Sequence, residues 1–123
     1  MRKILIVDDS PFIAKEIEDI VSDKGYEIIG HAKNGEMGIT MAAELKPDLI
    51  TMDIIMPGID GIEAAVEILK NNPDQKIVML SSLCDQDTIE EIQTLGLKHL
   101  IAKPIEADQL LGVLDEEFTE AAE

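Results

Sequence analysis

The sequence predicts an α/β fold of (βα)5 type, a five-stranded parallel sheet wound with helices on both faces. Three observations predict it. Short apolar runs alternate with segments of helical period along the 123 residues, turn and cap residues fall at the boundaries, and no repeat or low-complexity tract interrupts the alternation. Regular β-α alternation implies parallel strands joined by right-handed crossovers, so helices cover both faces.

The first run, Ile4 to Val7, is bounded by charge on both sides and reads as a buried strand. Ser10 can cap a helix whose first position is Pro11, with Ile13, Ile17, Ile20 and Val21 on one face and Gly25 where that helix should stop. Ile28-Ile29 is the second run. The segment from Glu36 to Leu45 is rich in Met and Ala, yet Ile39, Ala42 and Leu45 can form a stripe. After Pro47, Asp48 to Met52 gives the third strand. Asp60 with Glu63 resembles a capping box ahead of a face made of Ile62, Ala65, Val66 and Leu69. Pro73 precedes the fourth strand, Ile77 to Leu80. Asp87 with Glu90 repeats the cap spacing for a helix presenting Ile89, Ile92 and Leu95, which Gly96 follows. Leu100 to Ala102 is the fifth strand, and Leu110, Leu111, Leu114 and Phe118 face inward from the last helix. A short acidic tail ends the chain, and residues 1–123 read as a single domain.

Composition narrows the function. Asp and Glu total 26 against 10 Lys and Arg, a formal charge of −16, while 46% hydrophobic residues are too many for a disordered acidic tail. So few basic residues cannot neutralise a row of phosphates, which argues against nucleic acid or an anionic membrane as a partner. The lone Cys84 excludes an internal disulfide framework and fits a reducing compartment. The apolar run after Arg2 and Lys3 is too short for a signal peptide, and no stretch is long enough to span a bilayer, so the cytoplasm is the expected location.

In an open parallel α/β sheet, ligands bind at the carboxyl ends of the strands. Four of the five ends carry functional groups: Asp8-Asp9, Asp53, Ser81-Ser82 and Lys103. Any one Asp or Ser here could be a helix cap; four convergent ends weaken that explanation. Two unit charges about 4 Å apart repel by roughly 4 kcal/mol at an effective dielectric near 20, so grouping Asp8, Asp9 and Asp53 requires compensation. Lys103 supplies one positive charge and a hard divalent ion such as Mg²⁺ the other two. Without an ion, one carboxyl should titrate high. A carboxylate nucleophile, a metal, a Lys and a hydroxyl together suit a phosphoryl group.

These residues resemble a known family, the receiver domains of two-component response regulators. The resemblance runs through Lys-Ile-Leu-Ile-Val-Asp-Asp-Ser at 3 to 10, Asp-Ile-Ile-Met-Pro-Gly-Ile-Asp-Gly at 53 to 61, Leu-Ser-Ser at 80 to 82 and Lys-Pro at 103 to 104. It is strongest to single-domain receivers of the chemotaxis type, and it implies a flavodoxin-like strand order of 2-1-3-4-5. It further implies that Asp53 accepts a phosphoryl group from a histidine kinase, and that Mg²⁺ is held by Asp8, Asp9, Asp53 and the backbone carbonyl of Ile55. Ser81 and Lys103 would receive phosphoryl oxygens, and a cis Lys103-Pro104 bond would hold the Lys at its post. The chain would be a monomeric phosphoacceptor rather than an enzyme with its own substrate, and its output a changed affinity for a downstream protein or phosphatase. Alternatives within the family are a receiver cut from a larger regulator and a phosphorelay intermediate.

Outside it, a metal-dependent aspartyl phosphatase would want an acid where Ile55 stands. A flavin- or nucleotide-binding module would want a phosphate-cradling loop where Asp8-Asp9 would repel phosphate. A binding module with an idle site is the remaining alternative. Two departures from the family pattern stand out. Leu100 occupies the place of the usual switching aromatic, and Ile55 and Leu83 replace polar side chains that orient the water attacking the phosphoryl group, which predicts a long-lived phosphorylated form. His31 and His99 have no partner at metal-ligand spacing and read as structural or surface residues. Asp60 reads as a cap, Met56-Pro57-Gly58 as a loop packing beside the site, and Cys84 as a passive thiol. Beyond Lys103 there are seven acids and no base: Glu106, Asp108, Asp115, Glu116, Glu117, Glu120 and Glu123. If that acidic helix is an output face, its partner should be basic.

Overall fold

The computed structural model describes residues 1–121, with side chains through Thr119, so Glu123 and the side chain of Glu120 from the acidic tail lie outside the described residues. The strands are β1 (Arg2–Val7), β2 (Tyr26–Ala32), β3 (Leu49–Asp53), β4 (Lys76–Ser81) and β5 (Leu100–Ala102), all parallel, in the order β2-β1-β3-β4-β5. The helices α1 (Pro11–Val21), α2 (Gly35–Leu45), α3 (Gly61–Asn71), α4 (Gln86–Thr94) and α5 (Ala107–Ala121) alternate with them as predicted.

The central strands β1, β3 and β4 read as unbroken apolar runs because both of their faces are covered. On one face Ile4, Ile6, Leu49, Val78 and Leu80 meet Ile17 and Val21 of α1 and Leu110, Leu114 and Phe118 of α5. On the other, Leu5, Val7, Ile50, Met52, Ile77 and Met79 meet Ala64, Ala65 and Ile68 of α3 and Ile92 of α4, with Ile39 and Met41 of α2 at the margin. Each fully buried Leu or Ile in these layers contributes about 1.5–3 kcal/mol.

Ser10 accepts from the Ile13 amide and caps α1, and Asp60 accepts from the Glu63 amide and caps α3, as expected. Asp87 is not the cap of α4. Asp85 holds that place, its carboxylate accepting from the Thr88 amide, and Asp87 lies within the first turn, where the helix dipole still favours its charge. The first helix also stops earlier than Gly25. Ser22 is its C-cap, Asp23 takes φ 63°, and Gly25 at φ 89° turns the chain into β2.

Candidate functional site

The carboxyl ends of β1, β3, β4 and β5 converge on one edge of the sheet. Asp8 directly follows β1 and is fully buried. Its Oδ1 accepts from the Ser10 amide at 2.8 Å, so the capping residue of α1 also pins the carboxylate that precedes it. Asp53 ends β3 and is 4% exposed. The next turn packs directly over it. Gly61 donates its amide to the Ile54 carbonyl at 2.7 Å, and a Cβ at that position would fall on the Asp53 carbonyl oxygen and lie 2.8 Å from Ile54 Cα. This close approach is the physical reason for a glycine at the end of the 53 to 61 motif.

Lys103 follows β5 and lies next to a cis Lys103-Pro104 bond. Its amide donates to the Ser81 carbonyl at 2.9 Å, which ties the end of β5 to the end of β4. Its Nζ bridges two acids, 3.1 Å from Asp8 Oδ2 and 3.2 Å from Asp53 Oδ1. Carboxylate oxygens of Asp8, Asp9 and Asp53 all lie within 4.8 Å of one another, with Asp9 exposed on the outer side. Ser81 is buried at the end of β4, paired with Ala102 of β5, and its Oγ accepts from the Leu83 amide at 3.0 Å. Ile55 lies two residues past Asp53 with its side chain 54% exposed, and Leu83 is 59% exposed. Both apolar side chains are thus exposed just beyond the ends of β3 and β4.

The electrostatics follow the count of charges. Burial pushes the Asp53 carboxyl above the usual carboxylate range and the Asp8 charge adds to that, with Lys103 opposing only in part. Burial alone would lower the Lys103 ammonium, but its hydrogen bond to Asp8 and the charges of Asp8 and Asp53 outweigh this and hold it above its ordinary value. Three carboxylates and one ammonium leave an excess of negative charge. Hard oxygen donors clustered around that excess suit a small divalent cation, and the donor set fits Mg²⁺. Below Asp53 on the same strand, the buried Thr51 Oγ1 has no hydrogen-bond partner among the described residues. An edge that groups three carboxylates around one ammonium and holds a high-titrating carboxyl is not arranged for stability alone.

A model of the response regulator receiver domain matches residues 4–115. The chain belongs to this receiver family. It is 38% identical over 115 residues to the chemotaxis protein CheY of Listeria monocytogenes, covering 94% of this chain and 97% of that protein. It is 39% identical over 114 residues to CheY of Thermotoga maritima, covering 93% and 95%. Among solved structures, the CheX-CheY-BeF3-Mg²⁺ complex of Borrelia burgdorferi superposes with a TM-score of 0.91 at 29% identity, over 95% of this chain and 89% of that one. The response regulator domain of Thermotoga maritima CheB superposes at 0.86 with 36% identity, over 97% of both chains. Like these receivers, the chain has five parallel strands in the order 2-1-3-4-5, and its general role is that of a two-component phosphoacceptor. Among the described residues, no helix is long and apolar enough to cross a membrane.

Of the residues singled out in the sequence, Asp8, Asp9, Asp53 and Lys103 form one cluster with Ser81 on the strand between β3 and β5. The two histidines, expected to be structural or surface residues, both have specific partners. His31 Nε2 lies 2.8 Å from the Asp8 carbonyl oxygen, beside the acidic cluster. His99 sits between two consecutive acids of α5, Nδ1 at 2.8 Å from Glu117 and Nε2 at 3.2 Å from Glu116. The isolated Gly30 inside β2 was the available signal for His31, since a strand glycine often marks a bulge. Cys84 is exposed and its thiol lies 3.8 Å from the Ser81 carbonyl oxygen.

Proposed function

We propose that this chain is a single-domain, cytoplasmic, monomeric response regulator that accepts a phosphoryl group on Asp53 from the phosphohistidine of a kinase, in a Mg²⁺-dependent reaction. One observation carries the reading: carboxylate oxygens of Asp8, Asp9 and Asp53 within 4.8 Å of one another, with Lys103 bridging Asp8 and Asp53. An Asp53 oxygen attacks phosphorus, forming the P–O bond as the P–N bond breaks, and the electron pair of that bond stays on the departing imidazole. Attack requires ionised Asp53. Its raised pKa in the metal-free protein is therefore an obstacle that added positive charge removes.

Asp8, Asp9, Asp53 and the carbonyl of Ile55 would hold Mg²⁺, which when bound neutralises charge on the carboxylates and on the transferring phosphoryl oxygens. Lys103 pairs with one phosphoryl oxygen. The Ser81 hydroxyl, released from the Leu83 amide, donates to another. Both strand ends then shift, and the binding surface changes for a downstream protein or a phosphatase. The Borrelia complex holds CheY with CheX, BeF3 and Mg²⁺, which supports both the chemistry and a protein as the readout. The identity to a receiver portion of a Halobacterium salinarum methylesterase, where the match covers 30% of that protein, supports a second setting: the same domain joined to an output domain.

Incubation with Mg²⁺ and acetyl phosphate, read by intact mass, tests the reading. One phosphoryl adduct is expected on the wild type and none on Asp53→Asn; absence of any adduct would leave only a binding module. Because Ile55 and Leu83 cannot orient an attacking water, phosphate loss from Asp53 is expected to be slow and to accelerate in Ile55→Asn or Leu83→Glu. Unchanged decay in both variants would refute that explanation.

A further inference from the structure

Strand β2 begins on one face of the sheet and ends on the other. Tyr26 and Ile28 pack into the layer of α1 and α5. Gly30 lies against Leu5, Met41 and Leu45, and Ala32 is buried in the opposite layer. The pairing with β1 explains the inversion. Ile4 stands opposite Ile28 but Leu5 stands opposite Gly30, so Ile29 is an extra residue. Alternate side chains of a regular strand stay on one face, and a slip of one residue exchanges the faces. Without the bulge, His31 would point toward the α2 and α3 layer. With it, His31 is re-aimed to the face that Asp8, Asp53 and Lys103 share, as bulges beside functional sites commonly do.

The re-aimed ring reaches the Asp8 carbonyl oxygen at 2.8 Å. A carbonyl only accepts, so Nε2 carries the proton and donates it. All four polar atoms of Asp8 are then held: its amide by the Ala32 carbonyl at 3.0 Å, its carbonyl by His31, Oδ1 by the Ser10 amide at 2.8 Å and Oδ2 by Lys103 at 3.1 Å. The peptide unit is planar, so clamping the Asp8 carbonyl also fixes the plane from which Asp9 departs. Asp9 is the exposed member of the acidic cluster, and apart from this plane its carboxylate has the least to hold it in place.

We propose that His31 is a positioning residue for the cation site, holding the Asp8-Asp9 peptide so that the Asp9 carboxylate joins those of Asp8 and Asp53. The inference rests on reading that cluster as the receiver's Mg²⁺ site, and it adds a residue of β2 to it. His31→Phe keeps the ring volume and removes the donor; His31→Gln restores an N–H at similar reach.

Calorimetric titration of the metal-free proteins with MgCl2 is the test, with acetyl phosphate labelling of the same samples beside it. Loss of one hydrogen bond to the main chain should weaken Mg²⁺ binding in His31→Phe by about three- to tenfold. His31→Gln should return to within about twofold of wild type. Labelling of His31→Phe should recover at saturating Mg²⁺, a separation that a general loss of folding would not give. Should the Phe variant fail to fold, His31→Ala takes its place in the comparison. Equal Mg²⁺ affinity in wild type and His31→Phe, or no recovery with Gln, overturns the proposal. A wild type that binds Mg²⁺ with this ordering but takes no phosphoryl group overturns the proposed phosphorylation of Asp53 and leaves the role of His31 standing. No Mg²⁺ binding by the wild type overturns both.

Discussion

The two ends of the sheet both gather polar and charged side chains and reach opposite results. At the amino end, Tyr26 donates its hydroxyl to Asp115 at 2.8 Å, the Arg2 guanidinium lies 4.3 Å from the centre of the Phe118 ring, and the Tyr26 and Phe118 rings stand 6.0 Å apart. The buried Gln75 amide bridges the Pro47 and Lys76 carbonyls. These groups find their partners inside the chain. At the carboxyl end, Asp8 and Asp53 share one lysine, the Asp9 carboxylate lies beside them with no second cation paired to it among the described residues, and Asp53 titrates high. The amino end fastens α5 to the sheet, whereas the carboxyl end lacks positive charge that only something outside the chain can bring. Unrelieved charge at one end of an otherwise satisfied fold separates the working edge from the structural one.

The largest way to break this contrast is to remove the shared lysine. Lys103→Met leaves Asp8 and Asp53 buried without their cation, and a loss of about 3–5 kcal/mol in metal-free denaturant unfolding is expected. Part of that loss should return with Mg²⁺. Gly61→Ala comes next. Its methyl group would collide with the Asp53 main chain, so unfolding should show about 1–3 kcal/mol lost together with slower labelling of Asp53. At the other end, Tyr26→Phe should cost about 1 kcal/mol, since Asp115 is exposed and can return to water, and labelling of Asp53 should not change.

The smallest effect is a pH dependence. The folded pKa of Asp53 lies above its unfolded value, so the folded state holds the extra proton between the two. Its contribution is fully present below the unfolded carboxylate pKa and is lost as pH rises through the folded one. Metal-free Asp53→Asn should therefore melt above the wild type at neutral pH, with the gap closing as pH falls toward the ordinary carboxylate range. A gap that widens in acid would contradict the sign.

The architecture was legible because alternation of apolar runs and helical stripes depends on local periodicity, and Ser10-Pro11 and Asp60 announce their helices through capping chemistry. The acidic cluster was legible for a different reason: topology brings strand ends together, so residues far apart in sequence, such as Asp8 and Lys103, could be paired from their positions at those ends. What escaped depends on register and on local competition. Asp85 and Asp87 both carry a suitable carboxylate, and only the chain's path into α4 selects the first. The partner of His31 is set by one extra residue in β2, and those of His99 by the packing of α5 beside β5; neither has a spacing that a sequence displays.

The central claim, that the carboxyl edge is a charge excess relieved by a cation from outside, is tested most directly by the melting temperature as a function of Mg²⁺. Binding to the folded state alone adds about 2.7 kcal/mol at a hundredfold excess over Kd. The wild type and Tyr26→Phe should therefore rise in parallel as MgCl2 is titrated at neutral pH, whereas Asp53→Asn, which lacks one ligand charge, should rise less at each concentration. A wild-type melting temperature that stays flat with Mg²⁺, or an equal rise in Asp53→Asn, would contradict the account.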